Sequence, residues 1–131
     1  MEIQEGDKAM YRPINERETE WLERLFSVDF KGKEILQEHL RAAAVEMENG
    51  YDFYSLKFAV DGSFDLYPYK VRVPVEMRVF PSDKAPIVFL LHVVNGTIDE
   101  LEVFTADSSR LNINDICYER IEYVVDHQVK A

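Results

Sequence analysis

The stretch from Ile87 to Phe104 constrains the fold of this chain more than any other. An apolar run ends at Val94, Asn95-Gly96 follows, and the chain then returns as an alternating, acidic segment. Asn-Gly between two such segments is typical of a two-residue hairpin turn, because both turn residues must adopt a positive φ. The sequence therefore predicts a β-hairpin, and an uninterrupted ladder pairs Val94 with Thr97 and His92 with Asp99.

This register decides which side chains share a face of the hairpin. If Leu101 and Val103 point into the core, the carboxylates of Glu100 and Glu102 lie on the other face beside apolar side chains. An apolar patch edged with acids is typical of a protein interface. We therefore predict a partner-binding surface of Phe89, Leu91, Val93, Asp99, Glu100 and Glu102. The alternative is that another element covers this patch, since central strands are often apolar on both faces.

Two helices are predicted before the strands. Asn15 can cap the first helix, and Glu18 three residues later completes a capping box. The apolar stripe of this helix ends near Ser27. Gly32 separates it from a second short helix over about Lys33–Arg41.

The remaining chain is rich in strand patterns. Ala43–Met47 fits a strand or a helix extension, and Asn49-Gly50 favours a strand that pairs with Phe53–Val60. Unbroken alternation of apolar residues predicts a long, half-buried strand over Tyr67–Val79. Because Pro68 and Pro74 lack an amide hydrogen, this strand is expected at an edge of the sheet or with a bulge. Glu119–Val125 is predicted as the last strand, although the tail also fits a helix.

These elements predict an α+β fold in which two N-terminal helices pack on one face of a mainly antiparallel sheet of five or six strands. At 131 residues the chain fits a single domain, 1–131. Residues 1–12 are predicted to be a loosely ordered lead-in.

Charge restricts the class of partner. The chain has 25 acidic and 15 basic residues, and a net charge of −10. Such a field repels nucleic acids and anionic lipid and attracts basic proteins. The acidic excess lies in the first 50 and the last 37 residues, and the middle of the chain is neutral. Solubility alone also accounts for an acidic surface.

The sequence favours a cytoplasmic protein. Its N-terminus lacks the apolar region of a signal peptide. Its longest apolar run, Ile87–Val94, is far shorter than the about 20 residues that span a bilayer. Cys117 is the single cysteine, which excludes an internal disulfide and is consistent with a reducing compartment. We therefore predict no membrane association.

Candidate chemistry is sparse. A histidine base oriented by a carboxylate is one part of a catalytic triad, and the predicted pair of His92 and Asp99 fits that description. The sequence has no nucleophile motif to accompany the pair. A small-molecule or hydrolase site between helices and sheet near this pair is one alternative, and a structural histidine is the other. The three histidines lack metal-ligand spacing, so we predict no metal, no cofactor and no catalytic residue.

A basic and aromatic segment follows residue 66. Bases on one predicted strand face beside tyrosines are typical of a single-strand nucleic-acid platform. The residues concerned are Tyr67, Tyr69, Lys70, Arg72 and Arg78. Because both tyrosines share the face of Val71, and because the chain is acidic overall, we predict core packing and no nucleic-acid binding.

The hairpin also carries a resemblance. Its pattern is a turn glycine, an I-x-E-L-E strand and a closing aspartate, and it consists of Gly96, Ile98, Glu100, Leu101, Glu102, Val103 and Asp107. Together with Arg12-Pro13, Glu18 and Leu22, this pattern resembles a family of small uncharacterised acidic bacterial proteins. The resemblance implies no catalytic residue. By analogy, small acidic domains of this kind are similar to immunity proteins, which implies a basic toxin as partner.

A homodimer that pairs its own Phe89, Leu91 and Val93 is a further alternative.

Overall fold

The structure is a computed structural model that describes residues 10–131. Within these residues the chain forms two α-helices and a six-stranded sheet. The helices are α1 (Glu16–Leu25) and α2 (Lys33–Arg41), and the strands are β1 (Ala43–Asn49), β2 (Phe53–Val60), β3 (Val75–Val79), β4 (Ile87–Val94), β5 (Thr97–Thr105) and β6 (Ile121–Val125). The strand order is β1-β2-β5-β4-β3-β6, and every neighbouring pair is antiparallel.

The predicted α+β fold is confirmed. The capping box is present, since the Asn15 side chain accepts a hydrogen bond from the Glu18 amide at 2.8 Å and Glu18 Oε1 accepts one from the Asn15 amide at 3.0 Å. The second helix has the predicted bounds. The two segments that also fitted helices contain strands, Ala43–Asn49 and Ile121–Val125, and the second of these begins two residues after the predicted start at Glu119. Residues 1–9 of the predicted lead-in lie outside the described residues, whereas Arg12 forms a β-bridge with Val45.

The predicted strand over Tyr67–Val79 is wrong for its first eight residues, because only Val75–Val79 joins the sheet. The preceding segment runs beside the β4–β5 turn and makes separate hydrogen bonds there, from the Tyr67 amide to the Gly96 carbonyl at 2.8 Å and from the Val93 amide to the Arg72 carbonyl at 2.7 Å. Two prolines remove the donors that a continuous ladder needs. The apolar residues of this segment alternate with polar ones although it is not a strand, because Tyr67 and Val71 still pack into the core.

The core lies between the helices and one face of the sheet. Trp21 of α1 is fully buried and packs edge to face against Tyr54 of β2 and Phe89 of β4, with ring centroids 5.2 and 5.5 Å apart. Residues that are directly opposite in an antiparallel pair point to the same side. We call the side of Phe89 the inner face and the opposite side of the sheet the outer face.

In residues 10–131 no helix is long and apolar enough to cross a membrane.

Candidate protein-binding face

The β4–β5 hairpin has the predicted turn but not the predicted register. Asn95 and Gly96 both have positive φ, 52° and 80°, as a type I′ turn requires. Val94 pairs with Thr97 and Val93 with Ile98, but His92 then pairs with Glu100, so Asp99 bulges out of the ladder. The prediction that His92 pairs with Asp99 is therefore wrong.

One bulged residue moves every later side chain of β5 to the other face relative to β4. Phe89 now pairs with Val103 and Leu91 with Leu101. Phe89 and Leu91 are 0% exposed and Val93 is 5% exposed, all within the core. The prediction that these three side chains form an exposed patch is wrong, and a homodimer would have to pair through other residues.

A different set of apolar residues lies on the outer face. The predicted register placed some of them on the inner face, and the predicted surface did not include the others. We call the whole set the outer apolar patch, and it consists of Phe53, Phe80, Val88, Leu90 and Phe104. None of them belongs to the core cluster, although each is at least partly buried. Phe53 pairs with Phe104, and Phe104 with Val88, across three adjacent strands. A groove of about 380 Å³ lies over all of this patch except Phe53, and its wall also contains Pro86, Ala106, Glu76 and Arg78.

Acidic side chains surround the outer apolar patch. The strand register of the described residues places six glutamates on the outer face: Glu46, Glu48, Glu76, Glu100, Glu102 and Glu122. The strand bases on this face within residues 10–131 are Lys57 and Arg78. Arg78 donates to Glu76 on its own strand, and Lys57 lies 3.3 Å from Glu100 and 4.0 Å from Asp99. The outer face therefore has a clear negative excess.

Glu100 is the most firmly held of these acids. Burial alone would raise its pKa, but hydrogen bonds from Ser55 Oγ at 2.7 Å and Lys57 Nζ at 3.3 Å lower the pKa of Glu100 below its ordinary value. The carboxylate is thus charged at neutral pH. Glu102 is more open, with 39% of its side chain exposed, and accepts a hydrogen bond from His92 at 2.9 Å.

His92 lies on the outer face, on the opposite side of the sheet from the helices. The predicted pocket between helices and sheet near His92 and Asp99 is therefore wrong, because the sheet itself separates His92 from the helices. The predicted basic stripe is also divided. Lys70 and Arg72 lie in the irregular segment and Arg72 contacts His92, while Arg78 stays in β3.

Other titratable groups are satisfied inside the fold. Glu18 is fully buried. Its carboxylate accepts hydrogen bonds from Nη1 and Nη2 of Arg12 at 2.9 and 2.7 Å and from the Tyr54 hydroxyl at 2.6 Å. His39 is also fully buried, and its two ring nitrogens contact the Asp65 carbonyl and the Ile98 amide. Among residues 10–131, no group of three His, Cys, Asp or Glu side chains lies close enough to hold a metal. Cys117 is exposed.

Residues 11–115 match the family described as Domain of unknown function (DUF6984). The chain belongs to the DUF6984 family. This agrees with the resemblance to a family without an assigned activity. No curated protein and no solved structure matches the chain. The DUF6984 match contains both helices, β1 to β5 and the whole outer apolar patch, and it ends before β6.

A signal for the bulge is present in the DUF6984 sequence itself. Ile98, Leu101 and Val103 are all inner-face residues, but the first two are three positions apart rather than two. Two consecutive acids, Asp99 and Glu100, fill that interval. An apolar period that lengthens by one residue within a strand is the pattern expected for a β-bulge, and it would have placed Glu100 opposite His92.

Proposed function

We propose that this chain is a protein-binding module that docks a basic protein on its outer face. The observation that carries the proposal is that the outer face joins an apolar patch, separate from the core, to six glutamates, while both helices pack on the inner face. An apolar patch rimmed by charged side chains is typical of a protein-interaction site. The predicted acidic interface is thus retained, with the outer apolar patch in place of Phe89, Leu91 and Val93.

The two kinds of side chain have different roles in such a surface. The groove over Val88, Leu90 and Phe104 would take an apolar anchor of the partner and slow its dissociation. The glutamates would accelerate encounter with a cationic surface, and this effect falls as salt is added. Glu48 is exposed, and 39% of the Glu102 side chain is exposed although it accepts a hydrogen bond from His92, so both acids can receive a cation of the partner.

A toxin with a cationic active surface is the partner class that the analogy with immunity proteins suggests. An acidic domain that covers such a surface would block it by occupying it, and would need no catalytic residue of its own. This finer proposal is tested by expressing the captured partner with and without the chain. Growth arrest by the partner alone, relieved by the chain, would support it.

The docking surface is tested with two variants of equal charge change. Glu48→Lys/Glu102→Lys alters the outer face, and Glu23→Lys/Glu38→Lys alters exposed positions on the two helices. Each variant and the wild type is used as bait in host lysate, and the captured protein is then purified and titrated by calorimetry. We expect a basic partner whose Kd is at least about tenfold weaker for the outer-face variant, a loss of about 1.4 kcal/mol.

The helix variant is the control for nonspecific charge effects. It should keep its affinity to within about twofold, and both variants should retain the melting temperature of the wild type to within a few degrees. Equal loss of affinity in the two variants would show that only net charge matters and would reject the outer face as the docking surface. An acidic partner would reject the proposal altogether.

A further inference from the structure

His92 connects the irregular segment before β3 to the acids of the outer face. Its Nε2 lies 2.9 Å from Glu102 Oε1, and Arg72 Nε donates to its Nδ1 at 3.3 Å. Because the guanidinium nitrogens of arginine are donors only, Nδ1 must be the acceptor in this contact. The ring proton therefore lies on Nε2 and is donated to Glu102, and the neutral ring is bonded on both sides.

Protonation would have opposite effects on the two contacts. A second ring proton on Nδ1 would point at the Arg72 guanidinium, so Arg72 would lose its acceptor and face a like charge. The Glu102 contact would become an ion pair. The other charged groups near His92 on β5 are Glu100, which is directly opposite it, and Asp99 in the bulge, and Lys57 of β2 lies beside both of these acids. On β3 the nearest is Glu76, which is opposite Leu90 and accepts from Arg78.

We propose that His92 is a proton-operated switch for the outer face. When neutral, it holds Arg72 and leaves the surface at its full negative charge. When protonated, it releases Arg72 and adds a positive charge among the glutamates that would receive a basic partner. Histidine is the side chain whose unperturbed charge change falls between pH 5 and 8. The effect on docking rests on the proposed function, whereas the switch is a property of the free protein.

The size of the effect follows from Coulomb's law. One added charge about 6 Å from a bound cation in a water-like dielectric corresponds to about a threefold loss of affinity. By linkage, a bound cationic partner would in turn disfavour protonation of His92. Docking by this surface is therefore expected to weaken as pH falls, beyond the effect of titrating the carboxylates.

The first test needs no partner. A pH titration from 8 to 5, followed by NMR of the ¹⁵N-labelled protein, reports the ring nitrogens of all three histidines and the Arg72 Nε–H signal. Buried His39 and the 84% exposed His127 are internal references. We expect the neutral His92 proton on Nε2 and an Arg72 signal that changes with the same midpoint as the His92 ring. A proton on Nδ1 in the neutral form, or an Arg72 signal that stays constant while His92 titrates, would overturn the switch.

The second test uses His92→Gln, whose amide can accept from Arg72 and donate to Glu102 without titrating. An oligolysine peptide is titrated into the labelled wild type and variant at pH 8 and at pH 5.5. We expect shifts on the outer face, and a loss of affinity between the two pH values that is about threefold greater in wild type. Equal losses in both proteins would overturn the effect on docking. Shifts that lie elsewhere in both proteins would contradict the proposed function, while the first test still decides the switch.

Discussion

At the scale of single residues, Glu18 is a charged side chain that is completely buried. The side chain has 0% exposure and sits between α1, Arg12 and Tyr54. Burial alone would raise its pKa, but hydrogen bonds from Arg12, the Asn15 amide and Tyr54 lower the pKa of Glu18 below its ordinary value. Burial and the hydrogen bond to this carboxylate also raise the pKa of Tyr54 to about 12. The network connects Arg12, which precedes α1, through Glu18 of α1 to Tyr54 of β2.

Removing one partner of this network should be costly. Arg12→Ala leaves a buried carboxylate without its cation, and we expect a loss of about 3 kcal/mol in the free energy of unfolding. Arg41→Ala is the matched control, because Arg41 pairs with Glu38 in a bridge whose two side chains are 71% and 65% exposed. We expect a change of about 0.5 kcal/mol or less for that variant. Urea unfolding monitored by Trp21 fluorescence measures both, and equal losses would contradict the role of the network.

The same network gives a pH dependence with a defined sign. A carboxylate whose pKa is lowered by folding contributes stability above its unfolded pKa of about 4.3, and this stability is lost as pH falls through the folded pKa. The stability advantage of wild type over Glu18→Gln should therefore be largest at neutral pH and shrink in acid. Unfolding at pH 7 and in steps below pH 5 measures this, and an advantage that grows in acid would contradict it.

At the scale of elements, short-range patterns predicted most of the fold. The capping box at Asn15 and the Asn-Gly turns are local chemistry, and both helices and both hairpins formed where these signals lie. The two errors came from interactions that a strict period of two does not describe. A single bulge at Asp99 reversed the faces of the hairpin, and two prolines kept an alternating segment out of the ladder. The candidate surface inherited the first error.

The corrected register makes a prediction about two phenylalanines on neighbouring strands. Phe89 points to the inner face and is 0% exposed, whereas Phe104 points to the outer face and is only partly buried. Phe89→Ala should cost about 3–5 kcal/mol of unfolding free energy, because it opens a cavity in the core. Phe104→Ala should cost about 1 kcal/mol, because solvent can fill the space it leaves.

Denaturant unfolding of the two variants measures the difference directly. The uninterrupted register places both phenylalanines on the same face of the sheet, so it predicts similar losses for the two variants. A similar loss for the two variants would therefore reject the bulge at Asp99 and restore the predicted pairing of His92 with Asp99. It would also remove the outer apolar patch from the docking surface.

At the scale of the whole molecule, charge and architecture act together. The net charge of −10 is not concentrated on one segment of the chain. Folding brings Glu46 and Glu48 of β1 onto the same face as Glu100 and Glu102 of β5, with only β2 between these two strands. The two acidic ends of the chain thus meet on one face. This juxtaposition depends on strand order, which the sequence did not reveal.

The same charge should prevent the outer face from pairing with itself. A two-fold dimer through the outer apolar patch would place the glutamates of one copy against those of the other, and this repulsion is strongest when salt is low. We therefore expect light scattering to show a monomer at low ionic strength, and any dimer to increase as salt screens the repulsion. Binding of a basic partner to the same face should weaken over the same salt range, so the two equilibria respond with opposite sign. A dimer that forms at low salt and dissociates as salt is added would contradict the assignment of this face, because it would require attraction where the structure places six like charges per copy.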